Sequence, residues 1–313
     1  MFSNCPRLER LLERASALPP LPTAVAHPCD ESSLRAAVDG ARLGLLAPIL
    51  VGPPDRMRAV ATAAGIDLAG LPIVATPHSH ASAAKAVGLV REGQVECLMK
   101  GSLHTDELMA EIVARETGLR TARRVSHCFV IDVPTHPELL VITDAAVNIL
   151  PSLRDKVDIV QNAIDLGHAL GFSEVRVAIL SALEMVNPDV PSTIDAAALC
   201  KMADRGQITG ATLDGPLALD NAINLRAART KNIDSPVAGR ANILIVPDLE
   251  AGNMLAKSLS FLAAAEIAGI VMGARVPVIL TSRSDSLAAR LVSCALAKLV
   301  AKARRETPAR AVT

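Results

Sequence analysis

Four hydroxyls, one guanidinium and one carboxylate fall within six consecutive residues, Thr281-Ser282-Arg283-Ser284-Asp285-Ser286. They follow the apolar run Val276-Pro277-Val278-Ile279-Leu280, whose β-branched residues suit a central strand. Beyond them Leu287, Leu291, Ala295 and Leu299 recur every fourth residue, and Val292 and Leu296 widen the stripe, which predicts a helix. The turn therefore lies between the carboxyl end of a strand and the amino end of a helix. Unpaired N–H groups and the positive end of the helix dipole favour an anion there. Arg283 adds a fixed charge whose fork matches phosphate. Ser284, Asp285 and Ser286 also suit a helix cap, so the turn carries both a binding reading and a capping one.

Two further turns share that placement. Met99-Lys100-Gly101-Ser102-Leu103-His104-Thr105-Asp106 follows one apolar run, and Val246-Pro247-Asp248-Leu249-Glu250-Ala251-Gly252-Asn253 ends another. In open α/β sheets, ligands bind at the carboxyl ends of strands. Gly101 and Gly252 either let backbone approach a ligand closely or serve tight turns. Lys100 is either a phosphate-binding cation or a side chain that snorkels to the surface. His104 suits an acid, a base or a donor, and equally a first-turn residue facing water. Ser126, which opens the apolar stretch before Val133, joins Lys100, Gly101, His104, Asp248, Gly252 and Asn253 as a candidate substrate contact. Asp144 closes another apolar run and suits a cap. His78 and His80 look like a metal pair, but no Cys, Asp or Glu ligand stands near them, so no metal site is expected. His27, His127, His136 and His168 are isolated and read as structural.

The elements that must hold these turns alternate along the chain. Helices are predicted over residues 7–17, 31–42, 79–92, 154–170, 193–203, 218–228 and 251–268, and another ends at residue 64. Short strands are predicted over residues 23–26, 48–51, 73–75, 95–99, 175–180 and 243–246. Such repetition gives parallel sheets with helices on both faces. Residues 128–133 and 139–143, separated by Pro134-Thr135-His136-Pro137, read instead as a hairpin-like crossing between domains. The expected fold class is α/β, with two α/β domains, mostly parallel sheets and a cleft between them. Residues 1–135 plus 277–313 are expected to form the first domain, and residues 136–276 the second.

Composition narrows the function. The 313 residues carry 32 basic and 32 acidic side chains, so nucleic acid or an anionic membrane is not the expected partner. Half of the residues are hydrophobic, yet there is no Trp and no Tyr. The core must then be Ala, Val, Leu and Ile between regular elements, and the lack of Trp and Tyr argues against a base-stacking surface. Six scattered cysteines without a C-x-x-C pair suggest buried thiols in a reducing compartment. With no long uncharged apolar run and no signal-peptide core, the expected location is cytoplasmic. Motifs for Rossmann dinucleotide binding, P-loop phosphate binding, the α/β-hydrolase nucleophile and the H-E-x-x-H metal site are absent.

Taken together, these segments resemble the phosphate acetyltransferase/phosphate butyryltransferase family. The likeness rests on Met99-Lys100-Gly101, on D-G-P-L-A-L-D at 214–220, on S-P-V-A-G-R-A-N at 235–242, on V-P-D-L-E-A-G-N at 246–253 and on T-S-R-S-D-S at 281–286. It runs from the N-terminus to about Ala301. The resemblance implies two α/β domains of the isocitrate/isopropylmalate dehydrogenase-like kind, and a homodimer. It also implies acyl transfer between coenzyme A and inorganic phosphate, with acyl-CoA, CoA and phosphate as substrates and no cofactor. The family's active-site serine and arginine fall on Ser282 and Arg283. The aspartate proposed as base in acetyltransferase members falls at about Ala289, and two of their arginines fall near Met109 and Phe261. Asp285 is therefore the candidate base by proximity. Lys100-Gly101, Lys257-Ser258-Leu259 and the S-R-x-D-S turn look closer to butyryltransferase members. Two alternatives remain open: a non-catalytic CoA-binding or regulatory protein of this fold, and a metal-dependent dehydrogenase.

Overall fold

The computed structural model describes residues 5–281 and 285–306. In chain order the first elements are α1 (Pro6–Ser16), β1 (Leu21–Ala26), α2 (Glu31–Arg42), β2 (Leu46–Gly52), α3 (Pro54–Ala64), β3 (Ile73–Ala75), α4 (Ser79–Arg91), β4 (Cys97–Lys100) and α5 (Thr105–Val113). A middle group follows: β5 (Ser126–Asp132), β6 (Leu140–Thr143), α6 (Leu153–Leu170), β7 (Arg176–Leu180), α7 (Pro191–Asp204), β8 (Thr212–Leu217), α8 (Leu219–Ile223), α9 (Leu225–Thr230), β9 (Ile243–Ile245) and α10 (Leu249–Leu262). The chain closes with β10 (Glu266–Met272), β11 (Val278–Ile279) and α11 (Leu287–Glu306). It divides into two compact units, Met1–Arg123 with Ala268–Thr313, and Arg124–Ile267.

In the first unit the strands run β3-β2-β1-β4-β11-β10. Every neighbouring pair is parallel except β10 with β11. After β1 the chain moves outward to β2 and β3, then returns to place β4 on the other side of β1. That reversal between β1 and β4 is where open α/β sheets leave a crevice for ligands. Helix α2 starts where Asp30 accepts the Ser33 amide at 2.7 Å, and it buries Leu34, Ala37 and Val38. In α11 every residue from 289 to 301 is buried, as expected of a helix with apolar contacts all round.

In the second unit the order is β5-β6-β9-β7-β8. Here β5 and β6 form an antiparallel hairpin and the remaining pairs are parallel. Ile131, Leu140, Ile142, Ala178, Leu244 and Val246 lie in its aliphatic core. Helix α6 begins with a reciprocal capping box between Ser152 and Asp155 and ends at Gly171 with φ +80°.

Two predicted helices differ from the structure. The one expected over residues 218–228 is two short helices, because the Asn224 side chain accepts the Arg226 and Ala227 amides and starts a new one. The one expected over residues 251–268 stops at Leu262, and a strand follows from Glu266. The chain leaves that helix through Ala264, which takes φ +51°. Alanine is the best helix former, so composition carries no stop signal there.

Candidate active site

The carboxyl ends of β1, β4 and β11 lie side by side. Ala26 pairs with Lys100, and Met99 pairs with Ile279. Continuing the second register by two residues puts Thr281 beside Gly101. His27, just past β1, adopts φ +55°. Its carbonyl accepts the amides of Cys29 at 2.8 Å and Ser102 at 2.9 Å, and the Ser102 hydroxyl at 2.8 Å. The Ser102 Oγ in turn accepts the Cys29 amide at 3.2 Å. A Cβ on Gly101 would stand 2.5 Å from the His27 oxygen, so only glycine lets these turns meet. Lys100 is buried, and its Nζ donates to the Gly101 carbonyl at 3.3 Å. The His27 Nδ1 lies 3.0 Å from the Ser82 hydroxyl, which meets Thr76 Oγ1 at 2.8 Å. Burial, followed by the Arg56 charge, lowers the His27 pKa below 6.5, so the ring is neutral at pH 7.

The second unit presents its own strand ends. The buried Asp144 follows β6, and its carboxylate accepts the amides of Ala146 and Val147 at 3.0 Å and of Asn148 at 3.2 Å. The Asn148 Nδ2 adds a bond at 2.5 Å. Asp144 therefore caps the turn, as its position suggested. The Asp248 carboxylate accepts the Ala251 amide at 2.8 Å and starts α10. A Cβ on Gly252 would lie 2.7 Å from Val246 Cγ2 and 3.1 Å from the Asp144 oxygen. Asn253 donates to the Ala145 carbonyl at 3.3 Å. The P-D-L-E-A-G-N run thus seats the first turn of α10 on the turn after β6.

Lys100 and Gly101 stand at the junction of β1, β4 and β11. His104 is exposed at the N-cap position of α5 and makes no capping bond with its side chain. Asp248, Gly252 and Asn253 cluster at the start of α10. Ser126 is fully buried at the start of β5, where its hydroxyl accepts Asn162 Nδ2 at 2.9 Å. Ser282 and Arg283 lie outside the described residues. Asp285 is partly buried. The cap of α11 is Ser286, whose hydroxyl accepts the Ala289 amide at 3.0 Å. His78 caps α4 by accepting the Ala81 amide at 3.3 Å. Among the described residues no group of three or more His, Cys, Asp or Glu is placed to hold a metal ion. No described helix is long and apolar enough to cross a membrane.

Sequence reasoning missed two residues near these strand ends. His27 looked isolated, yet its backbone ties the loops after β1 and β4 together. Arg290 interrupts the apolar stripe of α11 and is only 4% exposed. A charge inside a continuous helical core stripe was the available signal for it.

Chemically, the junction in the first unit combines a buried ammonium, backbone turns opened by glycine and the entry to the hydroxyl-rich segment. Such a set can hold an anion and stabilise developing negative charge. Comparison with known proteins gives this arrangement a context. The family model described as "Phosphate acetyl/butaryl transferase" matches residues 75–298. A phosphate acetyltransferase of Rhizobium meliloti is 62% identical over 98% of this chain and 97% of its own length. A phosphate butyryltransferase of Clostridium acetobutylicum is 42% identical over 89% of this chain and 92% of its own. Among solved structures, a branched-chain phosphotransacylase from Enterococcus faecalis superposes with a TM-score of 0.78 at 30% identity, covering 90% of this chain and 99% of that one.

Proposed function

Because the chain belongs to the phosphate acetyl/butyryl transferase family, we propose that it moves an acetyl group between coenzyme A and inorganic phosphate. The observation that carries this reading is the near full-length likeness to an acetyltransferase, joined to Lys100 and Gly101 standing at the carboxyl ends of the neighbouring strands β1 and β4. In the proposed reaction a phosphate oxygen attacks the thioester carbonyl carbon. The carbonyl electrons move onto oxygen, then return as the carbon–sulfur bond breaks. Acetyl phosphate leaves, and the thiolate takes a proton to become free CoA. In reverse the thiol must first lose that proton, because the thiolate is the nucleophile.

Arg283 and Lys100 hold the phosphate in this reading, and Ser282 donates to the carbonyl oxygen or the leaving sulfur. Asp285 is the proposed base. The acyl group passes directly within a ternary complex, since positioning alone offers much of the needed rate. Asp144, Asp248, Gly252 and Asn253 shape the backbone at the second unit's strand ends; His104, exposed at the start of α5, is a further proposed substrate contact of the first unit, whereas Ser126 is fully buried and bonded to Asn162, so it holds β5 against α6 instead of meeting substrate. Six free cysteines, five of them buried, fit the proposed cytoplasmic location.

A homodimer completes the proposal. Among the described residues, all exposed large hydrophobic side chains except Leu43 and Val113 lie in the second unit. Met254, Phe261 and Leu262 share one face of α10. The exposed Ile149 and Leu150 lie beside that helix, since the Ile149 carbonyl accepts the Leu249 amide. A second copy is the proposed cover for this face.

The reading is tested by phosphate-dependent release of CoA thiol from acetyl-, propionyl- and butyryl-CoA. Release from acetyl-CoA that requires phosphate supports it. Folded protein that releases no thiol from any of the three refutes it, and a butyryl optimum moves the assignment to butyryl transfer.

A further inference from the structure

His27 is buried just past β1 and carries a side chain where the backbone does not favour one. At φ +55° a plain turn calls for glycine or asparagine. The ring joins a chain of hydroxyls. Its Nδ1 lies 3.0 Å from Ser82 Oγ on α4, and Ser82 Oγ lies 2.8 Å from Thr76 Oγ1 after β3. Ser82 Oγ also donates to the His78 carbonyl at 2.9 Å. A carbonyl only accepts and a serine hydroxyl has a single proton, so that proton is committed. Thr76 and His27 must then both donate to Ser82. The proton of the neutral imidazole therefore sits on Nδ1, and Nε2 carries a lone pair. Among the described residues nothing donates to that lone pair.

His27 stands at the junction proposed to hold phosphate. Its neighbour Ala26 pairs with the buried Lys100, and its own carbonyl holds the Ser102 amide and hydroxyl. A buried ammonium and a neutral acceptor on neighbouring strand ends suit one kind of anion. The ammonium attracts charged oxygens, and the lone pair needs an oxygen that still carries a proton. Inorganic phosphate keeps such a proton near neutral pH, and sulfate does not. Sulfate would turn an acceptor toward an acceptor and leave the buried nitrogen unpaired. A carboxylate in place of the imidazole would repel a dianion, whereas a neutral ring does not. Burial, then the Arg56 charge of α3, and after them the His78 charge at the start of α4 keep the ring neutral at pH 7 against the pull of Glu107 on α5.

We propose that His27 Nε2 accepts a hydrogen bond from the P–OH group of bound phosphate, and so selects phosphate and arsenate over sulfate. This role rests on the phosphate acyltransferase reading and adds to it the atom that recognises the protonated oxygen. Ser82 acts through His27, by fixing which ring nitrogen keeps the lone pair.

The test compares the parent with His27→Phe, His27→Gln and Ser82→Ala, with melting temperature measured for each. Initial rates with acetyl-CoA give KM for phosphate and for arsenate, and the inhibition constant of sulfate against phosphate. In the parent, sulfate should bind at least about tenfold more weakly than phosphate or arsenate, the worth of a hydrogen bond to a charged group. His27→Phe should raise both KM values about tenfold without weakening sulfate, so that the preference is lost. His27→Gln keeps an acceptor oxygen and should recover part of it. Ser82→Ala lets the ring carry its proton on Nε2, a donor, and should tighten sulfate. A parent that takes sulfate as tightly as phosphate overturns the proposal, as does a folded His27→Phe whose preference stays within about twofold of the parent's. Should His27→Phe fail to fold, Ser82→Ala decides: a reduced preference supports the role of the lone pair, and an unchanged one refutes it. An inactive parent would refute the acyltransferase reading, and titration calorimetry with phosphate and sulfate would then apply the same comparison; a parent that binds neither anion overturns both.

Discussion

At the scale of single residues, Gly101 shows most plainly how the site depends on what is missing. A Cβ there would overlap the Ala26 carbonyl and stand 2.5 Å from the His27 oxygen. Both obstacles are backbone, so neither rotates away. We predict that Gly101→Ala costs about 1–3 kcal/mol or more in urea unfolding, as overpacking against fixed atoms does. Unchanged stability would mean that the turns after β1 and β4 separate readily. The sequence pointed to this glycine as a place of close backbone approach, and the approach seen is of chain to chain. The buried thiols are similar in kind. Burial pushes the Cys128 and Cys294 thiols up to about 12, so at pH 8 only about one in ten thousand is thiolate. Native protein should therefore react with a thiol reagent at neither residue on the timescale of an activity assay. Rapid labelling of either one, located by peptide mass mapping, would contradict the packing around it.

At the scale of elements, the ends matter more than the middles. The Asp30 carboxylate that starts α2 is pushed up by burial, but hydrogen bonds from Ser33 and Ser32 and the Arg290 charge outweigh this and hold it below 3.8. A depressed folded pKa means that stability is present above the unfolded value and is lost as pH falls through the folded one. Asp30→Ala should cost about 1 kcal/mol at pH 7, the usual worth of such a cap. The difference between the two proteins should shrink below pH 4, because protonation removes the same carboxylate interactions from the parent. At the far end of α10, Ala264 sits at φ +51°. Ala264→Gly should raise stability by up to about 1 kcal/mol, since only glycine takes that conformation without a Cβ penalty. A lower melting temperature for Ala264→Gly would argue against this account of the helix stop. Element type was legible wherever the apolar period was long or a cap residue was present, as in α2, α6 and α11. It failed at residues 263–268, where an alanine-rich run hides both the end of a helix and the start of β10. Local composition cannot report a stop made by backbone conformation alone.

At the scale of the molecule, the alternating pattern of short strands and helices led directly to a mixed α/β fold with mostly parallel strands. The S-R-x-D-S turn, the K-G turn and the P-D-L-E-A-G-N run were each visible as motifs. The hydrogen bonds from Arg290 to Thr281 and Asp285 were not, because a link across nine residues from the first turn of a core helix has no sequence period. The exposed Met254, Phe261 and Leu262 also belong at this scale. Light scattering should give a dimer for the parent and a smaller species for Phe261→Glu/Leu262→Glu; a monomeric parent would exclude the proposed pairing. Direct transfer of an acetyl group from CoA sulfur to phosphate is checked by initial rates over a grid of acetyl-CoA and phosphate concentrations. Intersecting reciprocal plots with no thiol release in the absence of phosphate are the predicted result. Parallel plots, with acetyl bound covalently to the protein, would contradict it.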